Sequence, residues 1–266
     1  MDGKGNPRMS VVLERTARSS LPARIGWAAC NALQLAYTIA WTAGCIVLAL
    51  IVKAAGGGRT HLPLRMAARL WAPGLLHGAG ARLRVEGHAR VDFARPHVFV
   101  ANHQSIIDVC ALFRALPVPL RFVLKQELAG VPFIGWYARA MGMVFIRRSR
   151  VRESSRRLHD AGALLRAGAS LCAFPEGTRS RDGRVAAFKG GAFQLAIESG
   201  APVVPIAIEG SGNVLPASGF RVRPGTITLR IGTPIPVAGL HPHDRQALAR
   251  RAHDAVVALS QGRATA

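Results

Sequence analysis

The chain has 266 residues, of which 50% are hydrophobic and 18% are charged, so it can bury a core and is not an intrinsically disordered segment. Lysine and arginine number 35 against 14 acidic residues, and the formal net charge of +21 predicts an anionic partner. A mean hydropathy of +0.21 favours a lipid surface over nucleic acid as that partner. The four cysteines form no CxxC pair, which argues against a disulfide scaffold and a structural zinc site.

An uncharged segment follows the basic N-terminal residues. Residues 25–52 contain no charged side chain, and the next charge is Lys53. A helix of this length would extend about 42 Å, more than the roughly 30 Å of bilayer hydrocarbon, so it could span with tilt or bend back as a hairpin. A signal peptide is the alternative, but its apolar region is usually much shorter. Basic residues flank both ends, so the charges do not select an orientation.

Residues 62–76 place leucines and a methionine among arginines at close to helical spacing. This pattern predicts an amphipathic helix that lies either at the membrane interface or on the surface of the globular domain. We therefore expect membrane-anchoring helices over residues 1–80 and a catalytic domain over residues 81–266.

Short β-rich runs alternate with helical patterns from residue 82 onward. Strands are expected at 82–85, 98–101, 122–124, 144–146, 170–174, 203–208 and 226–231, and helices near 106–115, 151–167, 192–199 and 244–260. This alternation predicts an α/β fold, with a largely parallel sheet flanked by helices and an N-terminal membrane-embedded helical segment.

His103 and Asp108 are separated by four residues and follow the expected strand 98–101. The loops after strand ends are where open α/β sheets place their functional residues. If the carboxylate accepts a proton from one ring nitrogen, the other nitrogen can take a proton from a hydroxyl. The alternative is a helix-capping Asp108 beside a solvated His103, because this spacing by itself is common.

A second polar cluster follows the strand expected at 170–174. In the turn at residues 174–180, Arg179 offers a fork to phosphate oxygens and Glu176 can accept hydrogen bonds from hydroxyls. Lys125 and Arg148 follow two further strands, so four strand ends together suggest an anion pocket.

Several common catalytic motifs do not occur in the sequence. It contains no GxxxxGK[ST] phosphate loop, no GxGxxG after a strand and no GxSxG elbow, which argues against an NTPase, a dinucleotide enzyme and a serine hydrolase. The histidines at 241 and 243 suggest a metal site, but a turn in which Asp244 caps a helix explains them without an ion. We therefore expect no metal and no cofactor.

Four blocks in a fixed order carry a resemblance to a known family. Together they resemble the 1-acylglycerol-3-phosphate acyltransferases, the lysophosphatidic acid acyltransferases of the glycerolipid acyltransferase superfamily. The ordered set is more specific than any one block, and it comprises residues 102–108, 142–148, 174–179 and 203–207.

The resemblance implies a role for each matching residue. His103 would be the general base, and Asp108 would orient it. Residues 188–193 also match positions that shape the acceptor site, whereas Arg147 departs from the family, many members of which carry an acid there. The implied substrate-binding residues are Lys125, Arg148, Glu176, Gly177, Thr178 and Arg179.

The implied reaction transfers an acyl group from acyl-CoA or an acyl carrier protein thioester to the sn-2 hydroxyl of 1-acyl-sn-glycerol 3-phosphate. The expected partners are the lysophospholipid, the acyl donor and anionic membrane lipid, with no nucleic acid. The expected location is a bacterial inner membrane, with the catalytic domain on its cytoplasmic face. Two alternatives stay open: an acyltransferase for another lysolipid, such as lyso-ornithine lipid, and a membrane-tethered basic adaptor without catalysis.

Overall fold

A computed structural model describes residues 21–56, 61–146 and 161–262 of the chain. Arg147, Arg148 and the first part of the helix expected at 151–167 lie outside these ranges, whereas residues 161–166 are helical. The other helices are α1 (Leu21–Ala54), α2 (Leu62–Met66), α3 (Ala72–Gly78), α4 (Ile107–Ala115), α5 (Ile134–Ala140), α6 (Gly191–Ser199), α7 (Ser211–Val214) and α8 (Arg245–Ser260). The strands are β1 (Ala81–Glu86), β2 (Val98–Ala101), β3 (Leu120–Lys125), β4 (Val144–Ile146), β5 (Ser170–Ala173), β6 (Val203–Glu209) and β7 (Gly225–Ile231).

The strands form one seven-stranded sheet in the order β1-β7-β6-β2-β5-β3-β4. Every neighbouring pair is parallel except β6 and β7. The prediction of a largely parallel sheet is therefore confirmed. Since β2, β5, β3 and β4 are parallel neighbours, their carboxyl ends meet at one edge of the sheet, and the loops expected to carry the chemistry begin there.

The central strands are apolar on both faces because helices cover both. Phe99 on β2 packs into a core with α2, α3 and α4, whereas its neighbours Val98 and Val100 pack into a second core with α6 and α8. This opposite placement follows from the two-residue period of a strand. All four residues of β2 and of β5 are buried, so the sheet gives the loops at its carboxyl edge a fixed base.

α1 packs antiparallel to the helical segment at residues 62–78, and the two form a hairpin. The Trp41 indole donates to the carbonyl of Trp71 at 3.2 Å, and the Trp71 indole donates to Thr42 Oγ1 at 3.1 Å. Gly74 allows this close packing, since a Cβ there would lie 2.4 Å from the Trp41 ring. α1 is continuous, so the structure does not show the bend within residues 25–52 that the sequence left open.

α1 is also the one candidate membrane span among the described residues. The most apolar 18-residue window of Ile25–Ala54 has a mean hydropathy of 2.2, and only 11% of that window is buried in the protein. By length and composition this helix can cross a bilayer.

The segment expected to be an amphipathic helix forms α2, a π-helical turn at Ala67–Trp71, and α3. Leu64 and Leu76 belong to the protein core, whereas Leu62 and Leu70 are exposed. One face therefore packs on the domain and the other carries exposed leucines. The domain boundary at residue 80 stays a prediction.

Candidate active site

His103 and Asp108 meet at the carboxyl end of β2. His103 lies in the loop before α4, and Asp108 is in the first turn of that helix. Asp108 Oδ2 lies 2.8 Å from His103 Nδ1 and also accepts the backbone N–H groups of Gln104 and Ser105, each at 2.8 Å. Asp108 is fully buried, whereas the His103 side chain is 18% exposed. When Nδ1–H donates to this carboxylate, Nε2 is the unprotonated, basic nitrogen of the ring.

Two neighbours to which the sequence assigned no role hold this corner in place. The Phe174 ring stacks on the His103 ring, with 3.9 Å between centroids and 15° between planes. The Asn102 side chain bonds both backbone groups of Ile208, donating at 2.9 Å and accepting at 2.7 Å. Asn102 thus fixes the end of β2 against β6. A polar residue directly after a buried strand was the sequence signal for this role.

Glu176 joins the loop of His103 to the loop after β5. Its Oε1 accepts the backbone N–H of His103 at 2.7 Å, and its Oε2 accepts that of Ala186 at 2.9 Å. The Ser180 N–H also donates to the His103 carbonyl at 2.7 Å. Burial raises the pKa of Glu176, although the two N–H donors oppose the shift. Both carboxylate oxygens are therefore engaged by the backbone, and a substrate hydroxyl would have to use their remaining lone pairs.

The cationic side of the site is more open. Thr178 and Arg179 are exposed, and Arg179 has no ion pair with another residue of the described ranges. Gly177 has a φ of 77°, a left-handed conformation that favours glycine and turns the chain between Glu176 and Thr178. The structure thus brings the described members of the predicted binding set to one edge of the sheet, and their roles stay predictions.

Lys125 lies at the end of β3 on the same edge. Its Nζ is 3.4 Å from Glu127 Oε1, and both side chains are more than half exposed. Arg148 was also predicted to bind the acceptor, and it lies outside the described residues.

An apolar cavity of about 530 Å³ lies between the N-terminal helices and the catalytic domain. Ile106, Ile107 and Cys110, at the start of α4, form part of its wall next to the loop of His103. Phe122 lines it as well and stacks on Phe174, at 6.1 Å between centroids, so one aromatic ring separates this wall from the His103 ring. α1 contributes several lining residues, among them Ile39 and Ile46. The cavity therefore lies beside the basic histidine and is lined by side chains suited to a hydrocarbon chain.

The turn at residues 241–244, where the sequence offered a metal site or a helix cap, contains a capping box. The backbone N–H of His241 donates to Asp244 Oδ2 at 2.8 Å, and the two residues form a reciprocal capping box. The Asp244 carboxylate therefore caps the short 3-10 turn Pro242–Asp244, and although Asp244 occupies the N-cap position of α8 it makes no side-chain cap bond to that helix.

Comparisons with known proteins agree with the resemblance. A family model described as "Acyltransferase" matches residues 82–209. A 1-acyl-sn-glycerol-3-phosphate acyltransferase of Chlamydomonas reinhardtii is 40% identical over 143 residues, which are 53% of this chain and 43% of the relative. The human 1-acyl-sn-glycerol-3-phosphate acyltransferase beta is 33% identical over 178 residues, 66% of this chain and 64% of the relative.

A solved structure extends the likeness to the fold. The crystal structure of the 1-acyl-sn-glycerophosphate acyltransferase from Thermotoga maritima has a TM-score of 0.73, with 24% identity, and the match covers 91% of this chain and 99% of that one. The chain spans less than half the length of the algal relative and of the chloroplastic relative from Arabidopsis thaliana. The matched residues contain β2, β5 and the His103 corner, so the resemblance to acyltransferases that the four sequence blocks carry is confirmed.

Proposed function

We propose that this protein transfers an acyl group from an acyl thioester to the sn-2 hydroxyl of 1-acyl-sn-glycerol 3-phosphate, which yields phosphatidic acid. The observation that carries the proposal is the 2.8 Å contact between His103 Nδ1 and the buried Asp108 carboxylate. This contact orients a partly exposed imidazole whose Nε2 is available as a base. The names of the relatives supply the substrate class.

The reaction needs no covalent intermediate with the enzyme. Nε2 of His103 removes the proton of the acceptor hydroxyl as that oxygen attacks the thioester carbonyl. Asp108 stabilises the imidazolium that forms, because its Oδ2 accepts the Nδ1 proton. When the tetrahedral intermediate collapses, the C–S bond breaks and the thiolate leaves. The imidazolium proton then neutralises the thiolate, so the products are an ester and a free thiol and His103 returns to its basic form.

The rest of the site has the parts that such substrates require. The apolar cavity next to the loop of His103 can receive an acyl chain, and the exposed Arg179 can contact the phosphate of the acceptor. α1 is suited to holding the domain at a membrane, where both lysophosphatidic acid and phosphatidic acid reside. We propose the cytoplasmic face of a bacterial inner membrane as the location.

A membrane assay of the His103→Ala variant tests the proposal. We expect nearly all turnover to be lost while membrane association is unchanged, since the substitution removes the base and leaves α1 intact. Wild-type membranes should acylate lysophosphatidate, with acyl-CoA and acyl carrier protein thioesters offered as separate donors. An unchanged rate for His103→Ala would reject the role of the base. Poor transfer to lysophosphatidate beside good transfer to another lysolipid would reject the acceptor.

A further inference from the structure

The loop before α5 and the first turn of α5 expose an unusual set of apolar side chains. Val131, Phe133, Ile134 and Trp136 are each between 39% and 50% exposed. No residue from 128 to 138 carries a charge, and the next charged residue is Arg139. Adjacent exposed apolar side chains of this size indicate a contact surface, whereas scattered ones do not. We call residues 131–136 the aromatic wedge.

The backbone of the wedge is held in one conformation. Phe133 has a φ of 61°, which is rare for a bulky residue. The Gly135 N–H donates to the Val131 carbonyl at 2.8 Å, and the Tyr137 N–H donates to that of Phe133 at 2.9 Å. A Cβ at Gly135 would lie 2.2 Å from the Ala129 carbonyl oxygen, so the turn requires glycine. A strained residue that its surroundings hold in place points to function, and here it presents the Phe133 ring at the surface.

The wedge and α1 border the mouth of the apolar cavity. Residues that both line a cavity and are exposed lie where it opens, and here these include Ile39, Leu70, Ile106, Phe133 and Ile134. Ile39 belongs to α1 and Ile106 precedes α4, so the mouth extends from the membrane-type helix to the catalytic loop. Each of these segments contributes an apolar side chain to the rim of the mouth.

The helix α5, which begins within the wedge, is hydrogen-bonded to α1. Lys53, near the end of α1, donates to the carbonyl of Ala140 at the end of α5. Arg139 is exposed and donates to the Ala129 carbonyl at 2.5 Å. Two cations therefore lie at the base of the wedge, where lipid headgroups would be if the apolar tips were in a leaflet.

We propose that the aromatic wedge inserts into the same lipid leaflet as α1 and forms a second, independent contact with the membrane. Aromatic side chains at this depth are favoured because their rings suit the boundary between headgroups and hydrocarbon. The cavity mouth between the wedge and α1 then opens onto lipid chains instead of water. The use of this mouth by substrate rests on the proposed function, whereas insertion of the wedge does not.

Quenching of tryptophan fluorescence tests the insertion directly. The full chain is placed in vesicles of phosphatidylcholine and phosphatidylglycerol, with or without bromine on the acyl chains. Emission of the wild type minus that of Trp136→Phe gives the signal of Trp136, and we expect bromine to remove most of it. A matched control is Arg251→Trp on α8, which packs on the opposite face of the sheet, and its added emission should persist.

Trp136 emission that bromine does not reduce would overturn the proposal. Docking of a second copy of this chain would overturn it as well. In that case quenching of Trp136 would fall and cross-linking between copies would rise as the ratio of protein to lipid increases.

A kinetic measurement separates the wedge from the chemistry. Val131 and Trp136 belong to the wedge and do not line the cavity, so a double substitution by serine leaves the cavity wall intact. We expect a raised KM for a long-chain acceptor in vesicles and little change for a short-chain, water-soluble acceptor. The control Val85→Ser changes an exposed apolar residue on the edge strand β1 and should alter neither constant. Equal damage with both acceptors would count against the wedge. Quenching of Trp136 in a chain that transfers no acyl group would reject the proposed function and would still support insertion of the wedge.

Discussion

The two sides of the candidate site differ in how far the protein fixes them. On the side of the proposed general base, Asp108 is fully buried and accepts three hydrogen bonds, and His103 is held by Asp108, Glu176 and the Phe174 ring. On the cationic side, Arg179 is exposed and has no ion pair within the described residues. One side is therefore built before substrate arrives, while the other is free to adjust to it.

This difference suits the two tasks that we propose. Proton transfer depends steeply on geometry, so a base gains from rigid neighbours. A phosphate can be bound by a mobile guanidinium, at the cost of ordering that side chain on binding. Substitutions on the side of the proposed general base should therefore lower kcat, and substitutions on the cationic side should raise the KM for the acceptor.

Asp108→Asn should have the largest effect. The asparagine oxygen can keep the three hydrogen bonds of Oδ2, and its amide would occupy the position of Oδ1, which is buried without a partner among the described residues. The negative charge beside the imidazolium is lost, so we expect kcat to fall by roughly 10²- to 10⁴-fold with little change in melting temperature. Steady-state kinetics on membranes measures this. Near wild-type turnover would leave Asp108 only its role at the start of the helix.

Arg179→Ala should act on acceptor binding. A charge-assisted hydrogen bond to an anion contributes about 1.5–3 kcal/mol, so we expect the acceptor KM to rise by roughly 10- to 100-fold while the donor KM stays nearly constant. Arg179→Lys should recover part of the loss, because it keeps the charge without the fork. Equal increases in both KM values, with a lower melting temperature, would show instead that Arg179 supports its own turn.

Much of this contrast was visible in the sequence. The apolar runs of β2, β5 and β6 predicted buried strands, and parallel strands place their carboxyl ends together, so the shared edge followed. The contact between His103 and Asp108 was one of two interpretations of their spacing across a strand end and a helix start, and the structure shows that contact. These predictions depended on local patterns and on one rule of sheet geometry.

Other features depend on contacts between distant segments and could not be predicted in this way. Stacking of Phe174 on His103 requires the register of two loops about seventy residues apart, and the contact of Glu176 with Ala186 requires the path of the loop between them. The antiparallel pairing of β7 with β6 was not visible either, because a strand pattern is the same in both directions. The cavity mouth combines residues from α1, α4 and the aromatic wedge, whose proximity only the packed structure shows.

Glu176→Gln tests the link that Glu176 makes between the loop of His103 and the loop after β5. Both glutamate oxygens accept backbone N–H groups, and glutamine can replace only one of them. One buried donor then loses its partner, which costs about 1–3 kcal/mol, so we expect a lower melting temperature and a moderate fall in kcat.

The raised pKa of Glu176 adds a dependence on pH. In the window above the ordinary pKa of a glutamate, the folded protein binds more protons at this group than the unfolded protein does. Wild-type stability at this group therefore falls as pH rises through that window, whereas glutamine has no such dependence. The advantage of the wild type over Glu176→Gln should shrink from acidic to neutral pH in thermal melts in detergent. A constant or growing advantage would show that burial does not disfavour the charged form.

The smallest effects are expected for substitutions of Lys125 and its neighbour Glu127, which should shift the acceptor KM in opposite directions. Lys125 lies on the cationic edge, but Glu127 is 3.4 Å away and competes with the acceptor for its charge. Exposed ion pairs contribute only about 0–1 kcal/mol, so Lys125→Ala should raise the acceptor KM by no more than about fivefold. Glu127→Gln keeps the shape of its side chain and removes the competing charge, so it should lower the same constant. Both changes should weaken as salt is added, because the charges are exposed. If the two substitutions shift the acceptor KM in the same direction, Lys125 does not contact the acceptor phosphate, and the cationic side is limited to residues that follow β4 and β5.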